Sequence, residues 1–218
     1  MAQEIRIYVI KSEFCFILSL MRKVTIHLLS IKQIKSSLAK IIPSIDEDRL
    51  EKANRYVKEV DYLLSIGGSY LINKYTGPSS LKYEKDGKPY KDGIEFSLSH
   101  SKEYVILATS DTKIGIDIEK IKQIEQSLVD FCFNPIESKN IKTKEDFFAR
   151  WVNKESLGKC IGTGLKGKLQ DIPSSDGVFN YMGQVFSSKS VIYKGYAIGA
   201  CLKIDAPIYL IEIQEEKL

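Results

Sequence analysis

Residues 95–120 read EFSLSHSKEYVILATSDTKIGIDIEK. Three strand-like runs, Glu95–Ser101, Tyr104–Ser110 and Ile114–Glu119, are separated by short polar turns, which predicts an antiparallel meander. In the third run the side chains alternate: Ile114, Ile116 and Ile118 take one face, and Gly115, Asp117 and Glu119 the other. The two carboxylates then lie ~6.6 Å apart along the strand. They are either the solvated face of an edge strand or two ligands for one oxygen-preferring cation such as Mg²⁺ or Mn²⁺. In the first run Ser97, Ser99 and Ser101 share a face and His100 takes the other. These groups are either ordinary polar sheet residues or, at a strand end, hydroxyl and imidazole donors to a phosphate.

Downstream, Lys144 to Ile161 predicts a strong amphipathic helix, with Phe148, Trp151, Val152 and Cys160 on or near one face. Gly162 and Gly164 stop it. Within it, Glu155 and Lys159 are four apart and share a face, which by itself is the spacing of an exposed ion pair. Gly162, Gly164 and Gly167 have the spacing of a dinucleotide fingerprint, but they follow a helix where the fingerprint must follow a strand, so they read as a helix stop. Glu125 to Phe133 predicts a shorter helix ending at Pro135.

Upstream, Leu50, Ala53, Val57, Val60, Leu64 and Leu71 recur at helical spacing from Asp46 to about Tyr75, with Asp46, Glu47 and Asp48 at the dipole-favoured start. The stretch is long enough for two helices with a break near Lys58. Ile5 to Ile10 predicts a first strand, residues 14–42 carry no clear period, and Lys85 to Pro89 is a turn-rich loop. After the long helix come short strands near 178–179, 185–186, 191–193, 196–202 and 207–213. The order strand, helices, strands, helices, strands implies an α+β fold, with helices packed on mainly antiparallel sheet.

The chain has 218 residues, 44% hydrophobic and 28% charged, enough for a core without staples. The longest nearly apolar run, Phe14 to Met21, is far short of the ~20 residues of a membrane-spanning helix, and no signal peptide is expected. Cys15, Cys132, Cys160 and Cys201 are scattered, which excludes a zinc ribbon and suits reduced thiols in the cytoplasm. His27 and His100 are the only histidines, so multi-histidine metal sites are excluded. The net charge of +4 is too mild for a DNA-binding patch but suits an anionic ligand or acidic partner.

The FSLSHS strand, the IGIDIE strand and the Trp151-Val-Asn-Lys154-Glu155-Ser156 helix, in that order, resemble the 4′-phosphopantetheinyl transferases of the long, monomeric type. Gly87-Lys88-Pro89, a short gap before the first motif, is a further matching element. The resemblance runs from about Asp48 to Cys201. It implies two similar α+β halves related by a pseudo-twofold, 1–110 and 111–218, with the active site between them. It implies transfer of the phosphopantetheine arm of coenzyme A to a serine of an apo acyl or peptidyl carrier protein, releasing adenosine 3′,5′-bisphosphate, with neither nucleic acid nor membrane as partner.

By the same resemblance, Asp117, Glu119 and Glu155 would bind Mg²⁺, with Mn²⁺ as the other candidate ion. Glu155 would also be the general base for the carrier serine, at an ordinary carboxylate pKa of ~4.3. Lys159 would contact the α-phosphate and assist the leaving group, and Lys154 would add charge near the same phosphates. Ser99 and His100 match phosphate ligands of coenzyme A. Lys88 and Pro89 match the loop cradling adenine and its 3′-phosphate, and Arg49 and Lys52 the basic residues reaching that phosphate. Glu137 matches an acidic family position. Leu64 departs from the pattern, standing where many relatives carry an arginine for the 3′-phosphate. That predicts looser selectivity between coenzyme A and its dephospho form. In the carrier-docking segment, 121–133, Ile124, Leu128, Val129 and Phe131 are either an apolar docking patch or core. A metal-dependent nuclease built on Asp117, Glu119 and Lys120, and a non-catalytic coenzyme A or carrier-binding module, are the competing readings.

Overall fold

The computed structural model describes residues 21–78, 81–84 and 87–218. The strand expected at Ile5 to Ile10, Cys15 and the turn residues 85 and 86 lie outside them. The chain begins with β1 (Arg22–Ser30), then α1 (Ile31–Ser36) and α2 (Leu38–Ile41). Two helices follow, α3 (Glu47–Asn54) and α4 (Glu59–Thr76), with the break where it was expected. Val57 sits in that break fully exposed. Next come a small ribbon of β2 (Lys82–Tyr83) and β3 (Pro89–Tyr90), then β4 (Glu95–Ser101), β5 (Tyr104–Ser110) and β6 (Ile114–Lys120). The second part carries α5 (Gln126–Cys132), α6 (Pro135–Lys139), α7 (Lys144–Ile161), β7 (Gly177–Tyr181), β8 (Gln184–Tyr193), β9 (Tyr196–Leu202) and β10 (Ile208–Glu215). The fold is α+β, as expected.

Two four-stranded sheets have the orders β10-β1-β5-β4 and β6-β9-β8-β7. All neighbours are antiparallel except β1 and β10, which run parallel. The expected meander is therefore corrected at its third strand. β4 and β5 pair, but β6 leaves for the second sheet. Its Ile114, Ile116 and Ile118 join Val24, Ile26, Leu28, Ile106, Ile198 and Ala200 in one core between the sheets. The outer face of the first sheet is covered by α4 through Leu63, Ile66 and Leu71 packed on Val105 and Leu107. The outer face of the second is covered by α7 through Val152, Leu157 and Cys160. Each fully buried aliphatic side chain contributes about 1.5–3 kcal/mol. Cys132, Cys160 and Cys201 are buried free thiols.

The long helix is set by local chemistry. Thr143 and Asp146 form a reciprocal capping box at its start, and Gly162 ends it in the left-handed region at φ 92°, where a side chain would be strained.

The chain returns from the second sheet to the first through β10, and just beyond that strand Glu216 closes a buried cluster. Its carboxylate accepts from Tyr75 Oη at 2.6 Å and from Lys74, and lies 3.3 Å from His27 Nδ1. The His27 ring stacks on Tyr75 with centroids 3.6 Å apart. Burial holds the His27 imidazole below its ordinary pKa, a pull that Glu216 opposes and Lys74 reinforces. The unfolded chain therefore takes up this proton first as pH falls through 6.5, so His27 costs stability below that pH and not above it. Between pH 7.5 and 5.5, wild type is expected to lose more unfolding free energy than His27→Gln, by up to about 1.4 kcal/mol per pH unit. Equal losses in urea titrations at the two pH values would refute this.

Candidate active site

β4 and β6 are the facing edges of the two sheets, and serine side chains stitch them together. Ser97 Oγ accepts from Ile116 N at 3.0 Å, and Ser101 Oγ accepts from Lys120 N at 3.2 Å. Ser101 Oγ also reaches Glu119 Oε2 at 3.2 Å. Ser99 Oγ donates to Asp117 Oδ1 at 2.8 Å. The hydroxyls thus satisfy backbone N–H groups that an edge strand leaves unpaired. This seam went unread in the sequence. The signal was the matching two-residue period of Ser97, Ser99, Ser101 and of Asp117, Glu119.

α7 lies close on the second sheet because two strand positions carry no side chain. A Cβ on Gly115 would fall 2.0 Å from Ser156 O, and one on Gly199 2.6 Å from Val152 O. That approach brings Lys159 over the seam. Its Nζ donates to Ser99 Oγ at 2.8 Å and to Asp117 Oδ1 at 2.7 Å. The simple Glu155–Lys159 helix pair is thus replaced by a contact from helix to strand. Asp117 is 5% exposed, and its Oδ2 has no hydrogen-bond partner. Burial raises the pKa of both Glu119 and Glu155, and the Asp117 charge raises each further. The pKa of Glu155 is therefore above the ordinary carboxylate value expected from the sequence.

Three mutually repelling carboxylates and an orphaned buried oxygen fit a divalent cation in charge and donor type. As the side chains stand, no group of three or more His, Cys, Asp or Glu among the described residues is arranged to hold an ion.

Two adjoining cavities open beside this cluster and share Gly87, Pro89, Leu98 and His100. One is lined also by Arg49, Lys52, Asp61, Leu64 and Tyr83. The other is lined also by Lys88, Ser97, Lys159, Gly162 and Gly164. Arg49 is held by its Nε, which donates to Ser69 Oγ at 2.9 Å. Burial, and then Lys159, hold the His100 imidazole below its ordinary pKa. Gly162 and Gly164 therefore do more than stop a helix, and Asp61 and Tyr83 were not singled out in the sequence.

Two expected ligands are elsewhere. Ser99 lines neither cavity and is locked between Asp117 and Lys159. Lys154 is 0% exposed and faces away from the cleft. Its Nζ donates to Ile172 O at 2.6 Å, Leu169 O at 2.9 Å and Glu137 Oε2 at 3.3 Å. The one-residue step from Glu155 turns it ~100° around the helix. In the docking segment, Val129 is core, whereas Leu128 and Phe131 are exposed at 40% and 67%; Ile124 packs partly buried against the core.

Strand carboxylates, a helix carboxylate and a helix lysine thus stand beside a cleft lined by basic side chains, an arrangement suited to an anionic ligand. Residues 113–201 match the family model described as the 4′-phosphopantetheinyl transferase superfamily. The chain is 32% identical over 137 residues to 4′-phosphopantetheinyl transferase gsp of Aneurinibacillus migulanus, covering 56% of this chain and 58% of the relative. It is 28% identical over 138 residues to 4′-phosphopantetheinyl transferase Sfp of Bacillus subtilis (strain 168), covering 56% and 62%. It is 26% identical over 184 residues to L-aminoadipate-semialdehyde dehydrogenase-phosphopantetheinyl transferase of Mus musculus, covering 70% and 60%. The resemblance read from the three motifs is borne out, and the matched part of the chain spans about three-fifths of these relatives.

Proposed function

We propose that the protein transfers the 4′-phosphopantetheine arm of coenzyme A to a serine of an apo acyl or peptidyl carrier protein. The observation that supports this most directly is the Lys159 contact, which ties the helix of the third motif to Ser99 and Asp117, one residue from each strand motif. The halves 1–110 and 111–218 would flank the cleft, with β10 exchanged into the first sheet. The protein would act as a monomer in the cytoplasm. Among the described residues no helix is long and apolar enough to cross a membrane.

In this reading coenzyme A lies along the two cavities. Arg49 and Lys52 take its nucleotide end, Lys88 and Pro89 form the wall of the adenine site, and His100 and Lys159 meet the pyrophosphate. The carrier serine Oγ attacks the β-phosphorus, the bond from that phosphorus to the bridging oxygen breaks, and adenosine 3′,5′-bisphosphate leaves. Glu155 takes the serine proton. Lys159 offsets negative charge on the leaving phosphate. Asp117, Glu119 and Glu155 are the residues that would hold Mg²⁺ or Mn²⁺. Such an ion, when bound, neutralises charge on phosphoryl oxygens.

Intact mass spectrometry tests the reading. Purified protein, coenzyme A, Mg²⁺ and apo carriers should give a gain of one phosphopantetheine on a carrier, lost with chelator or with the acceptor serine changed to alanine. Coenzyme A binding without transfer to any carrier would favour the non-catalytic module, and DNA cleavage with Mg²⁺ the nuclease.

Two further outcomes follow from the cleft. Leu64, only 5% exposed, offers the 3′-phosphate no charge, so removing that phosphate should weaken binding less than in arginine-bearing relatives. Calorimetry with coenzyme A and its dephospho form decides this, and an equal loss refutes it. Leu128 and Phe131 would dock the carrier. Phe131→Glu should raise KM for the carrier about tenfold or more, with coenzyme A affinity unchanged. An unchanged carrier KM would remove this surface.

A further inference from the structure

We propose that Lys154 is a positioning residue: a buried strut that sets how deeply α7 sits on the second sheet, and so where Glu155 and Lys159 stand relative to Asp117 and Glu119. The proposal rests on the transferase reading above.

On one side, α7 lies directly on the sheet. Its backbone at Val152 and Ser156 fills the space that side chains at Gly199 and Gly115 would need. Contact at those glycines limits approach but does not prevent retreat. On another side, Lys154 ties the helix to two separate segments. Its ammonium donates to the carbonyls of Leu169 and Ile172 and to Glu137, and lies 4.7 Å from the Phe133 ring centroid. Glu137 is itself fixed: its carboxylate accepts from Ser174 Oγ and from Asn134 N at 3.3 Å, and its backbone N donates to Asn134 Oδ1 at 2.9 Å.

The same stripe of α7 adds two more ties to that segment. Asn153 Nδ2 donates to Ser174 O and Asp176 Oδ1, each at 2.9 Å, and Arg150 Nη1 donates to Ser174 Oγ at 3.3 Å. Of these, Lys154 alone puts a full charge at 0% exposure, where desolvation is costly unless every donor is used. All three donors have acceptors. Such a site holds one geometry tightly, because any displacement strips a buried charge of a partner. A displacement of about 1 Å at reacting groups can cost 10²-fold in rate.

Lys154→Met keeps much of the volume and removes the charge. If Lys154 positions the helix, kcat should fall about tenfold or more while KM and Kd for coenzyme A stay within about threefold of wild type. The loss should shrink in a Glu155→Gln background, because the part of it that acts through Glu155 is then already gone. Glu137→Gln, which leaves the lysine and two of its acceptors in place, should show the same split in milder form and serves if the Met variant does not fold. A folded Lys154→Met with wild-type kcat overturns the proposal. So does a tenfold weaker coenzyme A affinity at unchanged kcat, which is the signature of a phosphate ligand. Wild-type protein that neither binds coenzyme A nor modifies any carrier overturns the transferase reading itself, a result distinct from both.

Discussion

Glu155→Gln is expected to lower phosphopantetheine transfer by about 10²–10⁴-fold, the range for loss of a general base, while coenzyme A binding remains largely intact. The amide keeps the size of the side chain but can neither take the serine proton nor offer a second anionic oxygen to a cation. Binding is spared because the cavities are lined by other residues, among them Arg49, His100 and Lys159. Removing one of three repelling acids also relieves strain, since Asp117 and Glu119 both raise the pKa of Glu155. The variant should therefore be no less stable than wild type. Single-turnover transfer and calorimetry together check this, and transfer at the wild-type rate would refute the role of Glu155.

The second large effect is expected at Gly115, on the strand that carries the acids. In Gly115→Ala the new Cβ would meet Ser156 O at 2.0 Å, Cys160 N at 2.3 Å and the Lys159 carbonyl carbon at 2.9 Å. These are backbone atoms of a capped helix, so no rotamer change relieves the clash and α7 must back away. Overpacking of this kind typically costs about 1–3 kcal/mol, or roughly 2–12 °C in Tm at this chain length. The retreat also carries Lys159 and Glu155 off Asp117, and a shift of about 1 Å predicts a loss near 10²-fold in rate. Thermal unfolding and transfer kinetics read the two effects separately. A variant with wild-type Tm and rate would show that the helix does not need this contact.

The long helix departs from the amphipathic expectation, since it buries Asn153, Lys154 and Ser156 beside Phe147, Phe148, Val152 and Leu157, but its extent was legible because its stop at Gly162 is local. The same holds for α3 and α4 and their break. β1 was not legible. Sandwiched between the core of the two sheets and the helices, it is buried on both faces from Ile26 to Leu29, so it lacks the alternation that marks a half-buried strand. β6 was legible as a strand but not as a member of the other sheet, because neighbouring strands in sequence usually pair. What overrode that tendency was the fit of α7 against Gly115, a contact over forty residues away. In the site, Glu119, Glu155 and Lys159 all come within electrostatic reach of Asp117, though among the described residues no three acids are arranged around one ion. Lys154 does not join them, because a motif fixes the order of residues and not which side of a helix the cleft will occupy. Ser99, expected at the phosphates, stands between Asp117 and Lys159, a contact that its place in the strand motif alone did not reveal.

A row of hydroxyls between two sheets behaves differently from a backbone ladder. A ladder fixes register in steps of two residues, since any smaller slip turns side chains to the wrong face. A hydroxyl can donate or accept and rotates freely about its own bond. The joint between β4 and β6 is therefore made of separate side-chain bonds, of which Ser97 and Ser101 accept from the backbone of β6 and Ser99 donates to its Asp117. It also engages two N–H groups along this edge of β6, those of Ile116 and Lys120, that a stray chain would otherwise meet unpaired. The cleft thus lies beside a line of the fold that side-chain hydroxyls close where a backbone ladder would otherwise stand.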